Sequence, residues 1–128
     1  MFHILVVDDD KNTRQLIKAV LETENYIVIG ATDGEDALKV LDRSHIDLVI
    51  LDVMMPKMDG YEFTEILRRV QNELPILMVS AKQLPADRNK GFIVGTDDFM
   101  TKPFDEEELL LRVKALLRRA KIVNEHRI

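Results

Sequence analysis

A chain of 128 residues, 46% of them hydrophobic, is long enough for one compact domain with a full core and too short for two well-packed ones. Its formal charge of −5, from 23 acidic and 18 basic residues, repels a polyanion and excludes this piece as a direct nucleic-acid binder. With no cysteine there is no disulfide, thiolate metal site or cysteine nucleophile, and a reducing cytoplasm is the expected setting.

Apolar runs rich in β-branched residues recur at His3–Asp8, Tyr26–Ala31, Asp47–Asp52, Pro75–Ser80 and Thr96–Thr101, and each predicts a strand. The first, third and fourth are nearly continuous in Ile, Leu, Val and Met, as in strands buried on both faces of a parallel sheet. The fifth is weakened by Asp97 and Asp98.

Helical spacing fills the gaps. Thr13, Leu16, Ile17, Val20 and Leu21 form one stripe; Ala37, Leu38 and Leu41 follow a cap at Asp33. Phe63, Ile66, Leu67 and Val70 follow Asp59 and Glu62, and Leu109, Val113, Leu116 and Leu117 follow Asp105 and Glu108, each a cap with a second carboxylate three residues on. Between Leu84 and Val94 only a short, mobile helix is expected, since Pro85 suits a first turn and Gly91 weakens the turn after it. The segment Ala120–Ile128 loses the apolar period and reads as a tail or linker. No apolar run reaches the roughly 20 residues that span a bilayer, so a soluble chain without a membrane partner is expected.

Five alternations of strand and helix, joined by right-handed crossovers, predict an α/β doubly wound (βα)5 sandwich. In such sheets ligands bind beyond the carboxyl ends of the strands, where the strand order reverses. The first strand ends in Asp8, Asp9 and Asp10, the third in Asp52, the fourth in Ser80 and Ala81, and the fifth in Thr101 and Lys102. An order of 2-1-3-4-5 would bring the two most acidic ends together at the reversal.

Carboxylates crowded there repel unless a cation intervenes, and all-oxygen donors select a hard ion such as Mg²⁺. Lys102 adds a second positive charge, Ser80 a hydroxyl and Ala81 a main-chain N–H, which is close to what phosphoryl transfer requires. Asp52 is the natural nucleophile, forming an acyl phosphate. Taken singly, an aspartate at a strand end is a turn residue or cap, Lys102 a solvated loop lysine and Ser80 a satisfied turn hydroxyl. Four strand ends of five with a phosphate or metal role outweigh those readings.

Four stretches, LVVDDD from Leu5, LDVMMPKMDG from Leu51, Ser80-Ala81-Lys82 and DDFMTKPF from Asp97, resemble the receiver domains of bacterial two-component response regulators. The resemblance runs from about Ile4 to Arg119 and implies the flavodoxin-like order 2-1-3-4-5. It further implies that Asp52 takes phosphate from a phosphohistidine on a sensor histidine kinase. Mg²⁺, with Mn²⁺ or Ca²⁺ as substitutes, would be held by Asp8, Asp9, Asp52 and the Met54 carbonyl. The Lys102–Pro103 bond would be cis, and Ser80 with Phe99 would form the switch.

The charged positions are similar to those of the OmpR/PhoB-like class, which carries a C-terminal winged-helix DNA-binding domain and dimerises on phosphorylation through its fourth helix, fifth strand and fifth helix. Arg88 and Glu108, Asp97 and Arg119, and Asp98 and Arg112 have complementary signs there, although exposed pairs are ordinarily solvated charges worth about 0–1 kcal/mol. Phe99 stands where this class commonly has Tyr, and Thr96 where Ala is frequent. The expected layout is a receiver at residues 1–121 and a tail or linker at 122–128, leading to an absent DNA-binding domain. A regulatory phosphoacceptor, catalysing only its own phosphoryl transfer and dephosphorylation, is expected rather than an enzyme.

Two other readings compete. A haloacid-dehalogenase-like phosphatase would use Asp8 and Asp10 but leaves Asp52 without a task; a stand-alone receiver would act through protein partners. Nucleotide-binding Rossmann folds fail for want of a glycine-rich turn after the first strand, and His3, His45 and His126 show no zinc spacing.

Overall fold

A computed structural model describes residues 1–125, with side chains to residue 121. Five strands alternate with five helices: β1 His3–Val7, α1 Lys11–Glu22, β2 Ile27–Ala31, α2 Gly34–Arg43, β3 Leu48–Leu51, α3 Gly60–Val70, β4 Ile76–Ser80, α4 Pro85–Val94, β5 Asp98–Thr101 and α5 Glu106–Glu125. All strand pairs are parallel, in the order β2-β1-β3-β4-β5. The order and the five strands agree with the sequence reading, each strand beginning within two residues of its expected start.

Alternation along the central strands divides the core in two. Leu5, Val7, Val49, Leu51, Ile76 and Met78 face one side, where Ala37 and Val40 of α2 and Phe63 and Leu67 of α3 cover them. Ile4, Val6, Leu48, Ile50, Leu77 and Val79 face the other, under Ile17 and Leu21 of α1 and Leu109, Val113 and Leu116 of α5. β1, β3 and β4 are buried almost throughout because helices lie on both faces, which is why they read as unbroken apolar runs. The edge strands β2 and β5 are only partly buried.

Side-chain caps set the helix starts. Asp33 accepts from the Asp36 N–H at 2.8 Å, Asp59 from the Glu62 N–H at 2.9 Å, and Asp105 from the Glu108 N–H at 3.0 Å. α4 forms over ten residues, with Pro85 in its first turn and a buried Gly91 against the sheet. Two stripe residues differ from expectation. Leu16 is 45% exposed beside the cleft between α1 and α5, and Val70, the last residue of α3, is 73% exposed in a groove it borders with Leu38 and Leu41 of α2. Of the tail expected at 122–128, residues 122–125 continue α5, and His126 to Ile128 lie outside the described residues. Among the described residues no helix is long and apolar enough to cross a membrane.

Candidate functional site

The β2-β1-β3 order puts the ends of β1 and β3 side by side, and main-chain bonds fix their register: the Asp52 N–H donates to the Val7 carbonyl at 3.0 Å. One carboxylate oxygen each from Asp8, Asp9 and Asp52 therefore lie within 4.8 Å of one another. Asp8 and Asp52 are buried and Asp9 is exposed, so the cluster opens to solvent on one side.

Lys102 reaches this cluster from the end of β5, across 94 residues of sequence. Its ammonium lies 2.8 Å from Asp8 Oδ2 and 3.4 Å from Asp52 Oδ2. Its own N–H donates to the Ser80 carbonyl at 2.8 Å, which locks the β5 end to β4, and the Lys102–Pro103 bond is cis as expected. Ser80 is fully buried and its Oγ accepts from the Lys82 N–H at 3.2 Å; Ala81 beside it is exposed. The Met54 N–H donates to Asp52 Oδ1 at 3.3 Å, and the Met54 side chain is exposed.

Burial, then the negative charge of Asp8, pushes the Asp52 carboxyl up from its usual range, against the pull of Lys102. Burial would lower the Lys102 ammonium, but its bond to Asp8 and the charges of Asp52 and Asp8 hold it above its ordinary value. The acid and the base are thus mutually dependent, and the pocket has more negative charge than Lys102 alone offsets.

This donor set fits a hard divalent cation. Mg²⁺ takes oxygen ligands at about 2.1 Å, which sets opposed ligands about 4.2 Å apart, so small side-chain shifts within a 4.8 Å cluster would suffice.

Asp10 has a different task from the one the phosphatase reading gave it. It caps α1, accepting from the Asn12 N–H at 3.2 Å and the Thr13 hydroxyl at 2.7 Å, and the hydroxyl bond is the main reason its carboxyl is held below the usual range.

Two supporting residues went unread in the sequence. Arg14 Nη1 donates to the Asp8 carbonyl at 2.7 Å and steadies the β1–α1 turn; an arginine off the apolar stripe gives no periodic signal. Gly60 opens α3 directly under Asp52, where a Cβ would sit 2.6 Å from the Asp52 carbonyl oxygen and 2.8 Å from Val53 Cα. Both are main-chain atoms that cannot yield without moving the nucleophile. Gly60→Ala is therefore expected to destabilise the protein by about 1–3 kcal/mol, as overpacking does, which urea denaturation would measure.

At the expected dimer face the charges are partly committed within the chain. Arg112 Nη1 lies 2.8 Å from both oxygens of Asp98, and its Nε lies 2.9 Å from Glu108. Asp97 is bound by Arg68 of α3 at 2.8 Å. Arg88 is exposed with its guanidinium 5.9 Å from the centroid of the buried Phe99 ring, and Arg119 is exposed. Of the three expected pairs, the chain itself brings together only Asp98 and Arg112 among the described residues.

An acidic cluster met by a lysine at the reversal of a 2-1-3-4-5 sheet marks the class of receiver domains. Residues 4–114 match the response regulator receiver domain, and the chain belongs to that family. It is 48% identical over 119 residues to the alkaline phosphatase synthesis transcriptional regulatory protein PhoP of Bacillus subtilis, covering 93% of this chain and 50% of that protein. It is 46% identical over 120 residues to the transcriptional regulatory protein CpxR of Escherichia coli, covering 94% and 51%. The solved Francisella response regulator 1452 receiver domain superposes with a TM-score of 0.88 at 35% identity, covering 93% of this chain and 98% of that one. The chain spans about half the length of the curated relatives it matches. Both relatives are transcriptional regulators, in keeping with the OmpR/PhoB-like class read from the sequence.

Proposed function

We propose that this domain is the phosphorylation-dependent switch of a two-component phosphorelay, with Asp52 as phosphoacceptor and a sensor histidine kinase as donor. The observation that carries this reading is the placing of Lys102 against Asp8 and Asp52 at the mouth of a three-carboxylate cluster. A carboxylate oxygen of Asp52 attacks the phosphorus of the phosphohistidine; the P–N bond breaks, its electron pair returns to the imidazole nitrogen, and that nitrogen takes up a proton. Asp8, Asp9, Asp52 and the Met54 carbonyl would hold Mg²⁺, which when bound neutralises charge on the phosphoryl oxygens. Lys102 gives its ammonium to another phosphoryl oxygen, and Ser80 and the Ala81 N–H serve as further donors.

In this reading the signal leaves the site through β4 and β5. Ser80 turns its hydroxyl toward the phosphoryl group, and Phe99, whose ring packs in the core beside Met78, settles behind it. Arg88 on α4 lies over that ring, so a shift of Phe99 is felt on the face formed by α4, β5 and α5. A second copy docks there, and the dimer controls an attached DNA-binding domain that follows residues 122–128. The sequence match to transcriptional regulators twice as long as this chain supports that arrangement.

Incubation with acetyl phosphate and Mg²⁺ tests the chemistry. The expected result is one phosphoryl adduct by intact mass, labile to hydroxylamine and mapped to Asp52. Label on Asp8 with steady release of phosphate would instead support a phosphatase.

A further inference from the structure

We infer that Arg68, in the last turn of α3, is a positioning residue for the dimer face: it fixes Asp97 so that the carboxylate can receive a guanidinium from a second copy of this chain. This rests on the dimer reading above and adds to it a residue that lies outside α4, β5 and α5.

The side chain of Arg68 is only 13% exposed, and its guanidinium donates in four directions. Nε donates to the Gly95 carbonyl at 2.9 Å, Nη1 to the carbonyls of Leu74 at 2.6 Å and Gln71 at 3.3 Å, and Nη2 to Asp97 Oδ2 at 2.8 Å. The planar fork of arginine allows this spread, whereas a lysine ammonium could not span it. One residue thereby joins the end of α3, the α3–β4 loop, the C-cap of α4 and the lead into β5. The fit is close, since a Cβ on Gly95 would lie 2.9 Å from Arg68 Cγ.

Asp97 is held from two sides. Its Oδ2 accepts both the Arg68 Nη2 bond and the Ile76 N–H at 2.8 Å, while its own N–H donates to the Ile76 carbonyl at 2.9 Å. Oδ1 takes part in none of these bonds, and the side chain is 42% exposed. Asp97 also lines a cavity of about 380 Å³ together with Pro75, Leu116 and Arg119. Among the described residues Arg119 forms no ion pair with Asp97, although both border this cavity together with Glu73 and Arg119 is exposed. A two-fold related copy, presenting the same surface, pairs each with the other. A carboxylate already oriented loses little freedom on taking that partner, which is how a fixed side chain raises affinity.

The test follows dimerisation and amide exchange in the same samples, using chain phosphorylated by acetyl phosphate and Mg²⁺ with the adduct quantified by mass. Arg68→Met and Arg68→Lys are expected to carry the Asp52 adduct as wild type does, to speed hydrogen exchange at the Ile76 amide, and to raise the dimer dissociation constant about tenfold, the scale of one charge-assisted hydrogen bond. Asp97→Asn, which keeps an oxygen for the Ile76 N–H, should weaken the dimer as much with little change in exchange at Ile76. Arg119→Glu should weaken it as well. Unchanged exchange at Ile76 in the Arg68 variants overturns the clamp, and faster exchange with unaltered dimerisation overturns the positioning role. A phosphorylated wild type that stays monomeric, or a dimer indifferent to Arg119→Glu, overturns the dimer face itself and Arg68's part in it, while Ile76 exchange in the monomer still judges the clamp.

Discussion

Asp52→Asn is expected to abolish the phosphoryl adduct and, at neutral pH without metal, to raise the melting temperature by about 4 °C. The amide has nearly the shape of the carboxylate and keeps an oxygen for the Met54 N–H, but it has no anionic oxygen with which to attack phosphorus. The stability gain comes from the same crowding that makes the site work. Burial and the charge of Asp8 raise the Asp52 carboxyl above its unfolded value, so its contribution to stability is present at low pH and is lost as the pH rises through the folded value. In its ionised form the group therefore costs stability. Relieving an unfavourable surface or cleft charge by a single substitution commonly gains on the order of 1 kcal/mol, which moves the melting point of a domain this size by about 4 °C. Thermal melts in EDTA and in Mg²⁺ check this, and the difference should shrink in Mg²⁺, where the wild-type carboxylate gains a counter-charge. A lower melting point for the variant in EDTA would show that the cluster is not electrostatically strained.

Lys102→Met should act in the opposite sense on stability and in the same sense on chemistry. Methionine keeps an unbranched stem and removes the charge, leaving the buried Asp8 and Asp52 carboxylates without their ammonium. Breaking a fully buried pair in this way costs about 3–5 kcal/mol; with Lys102 22% exposed, solvent screening reduces the expectation to about 2 kcal/mol, or roughly 8 °C in melting temperature. Mg²⁺ should recover part of that loss. It should not recover the rate: removing one preorganised charge from a phosphoryl-transfer site slows the step by about 10²–10³-fold, measurable as initial adduct formation from acetyl phosphate. A rate within threefold of wild type would mean that Lys102 is a structural counter-ion and no part of the transfer.

Both variants act on groups that are close in space and distant along the chain, and this marks where reading the sequence succeeds. The unbroken apolar runs of β1, β3 and β4 were legible because helices on both faces leave no room for a polar alternation, and the caps at Asp33, Asp59 and Asp105 because a helix start has a fixed local chemistry. The candidate site was legible for a related reason: in a doubly wound sheet the residues at strand ends face one edge, so acids and a lysine collected there are neighbours whatever their spacing.

Other features were set by geometry alone. Val70 fits the apolar period of α3 yet is exposed at the helix end, and Asp10 matched a phosphatase motif until the turn of the chain made it a helix cap. Asp97 read as a surface charge awaiting a partner, but in the fold it is already gripped by Arg68, 29 residues earlier in the chain.

The sequence by itself determined the strand and helix order, the two-sided core and the acids that gather at one edge, because hydrophobic period and cap chemistry act over a few residues. Only the tertiary structure decided which charges neutralise one another: the ammonium of Lys102 between two carboxylates, the guanidinium of Arg68 across four segments, and Gly60 beneath Asp52. Coulomb attraction and steric contact depend on distances in space, and those distances exist only once the sheet has closed in its 2-1-3-4-5 order.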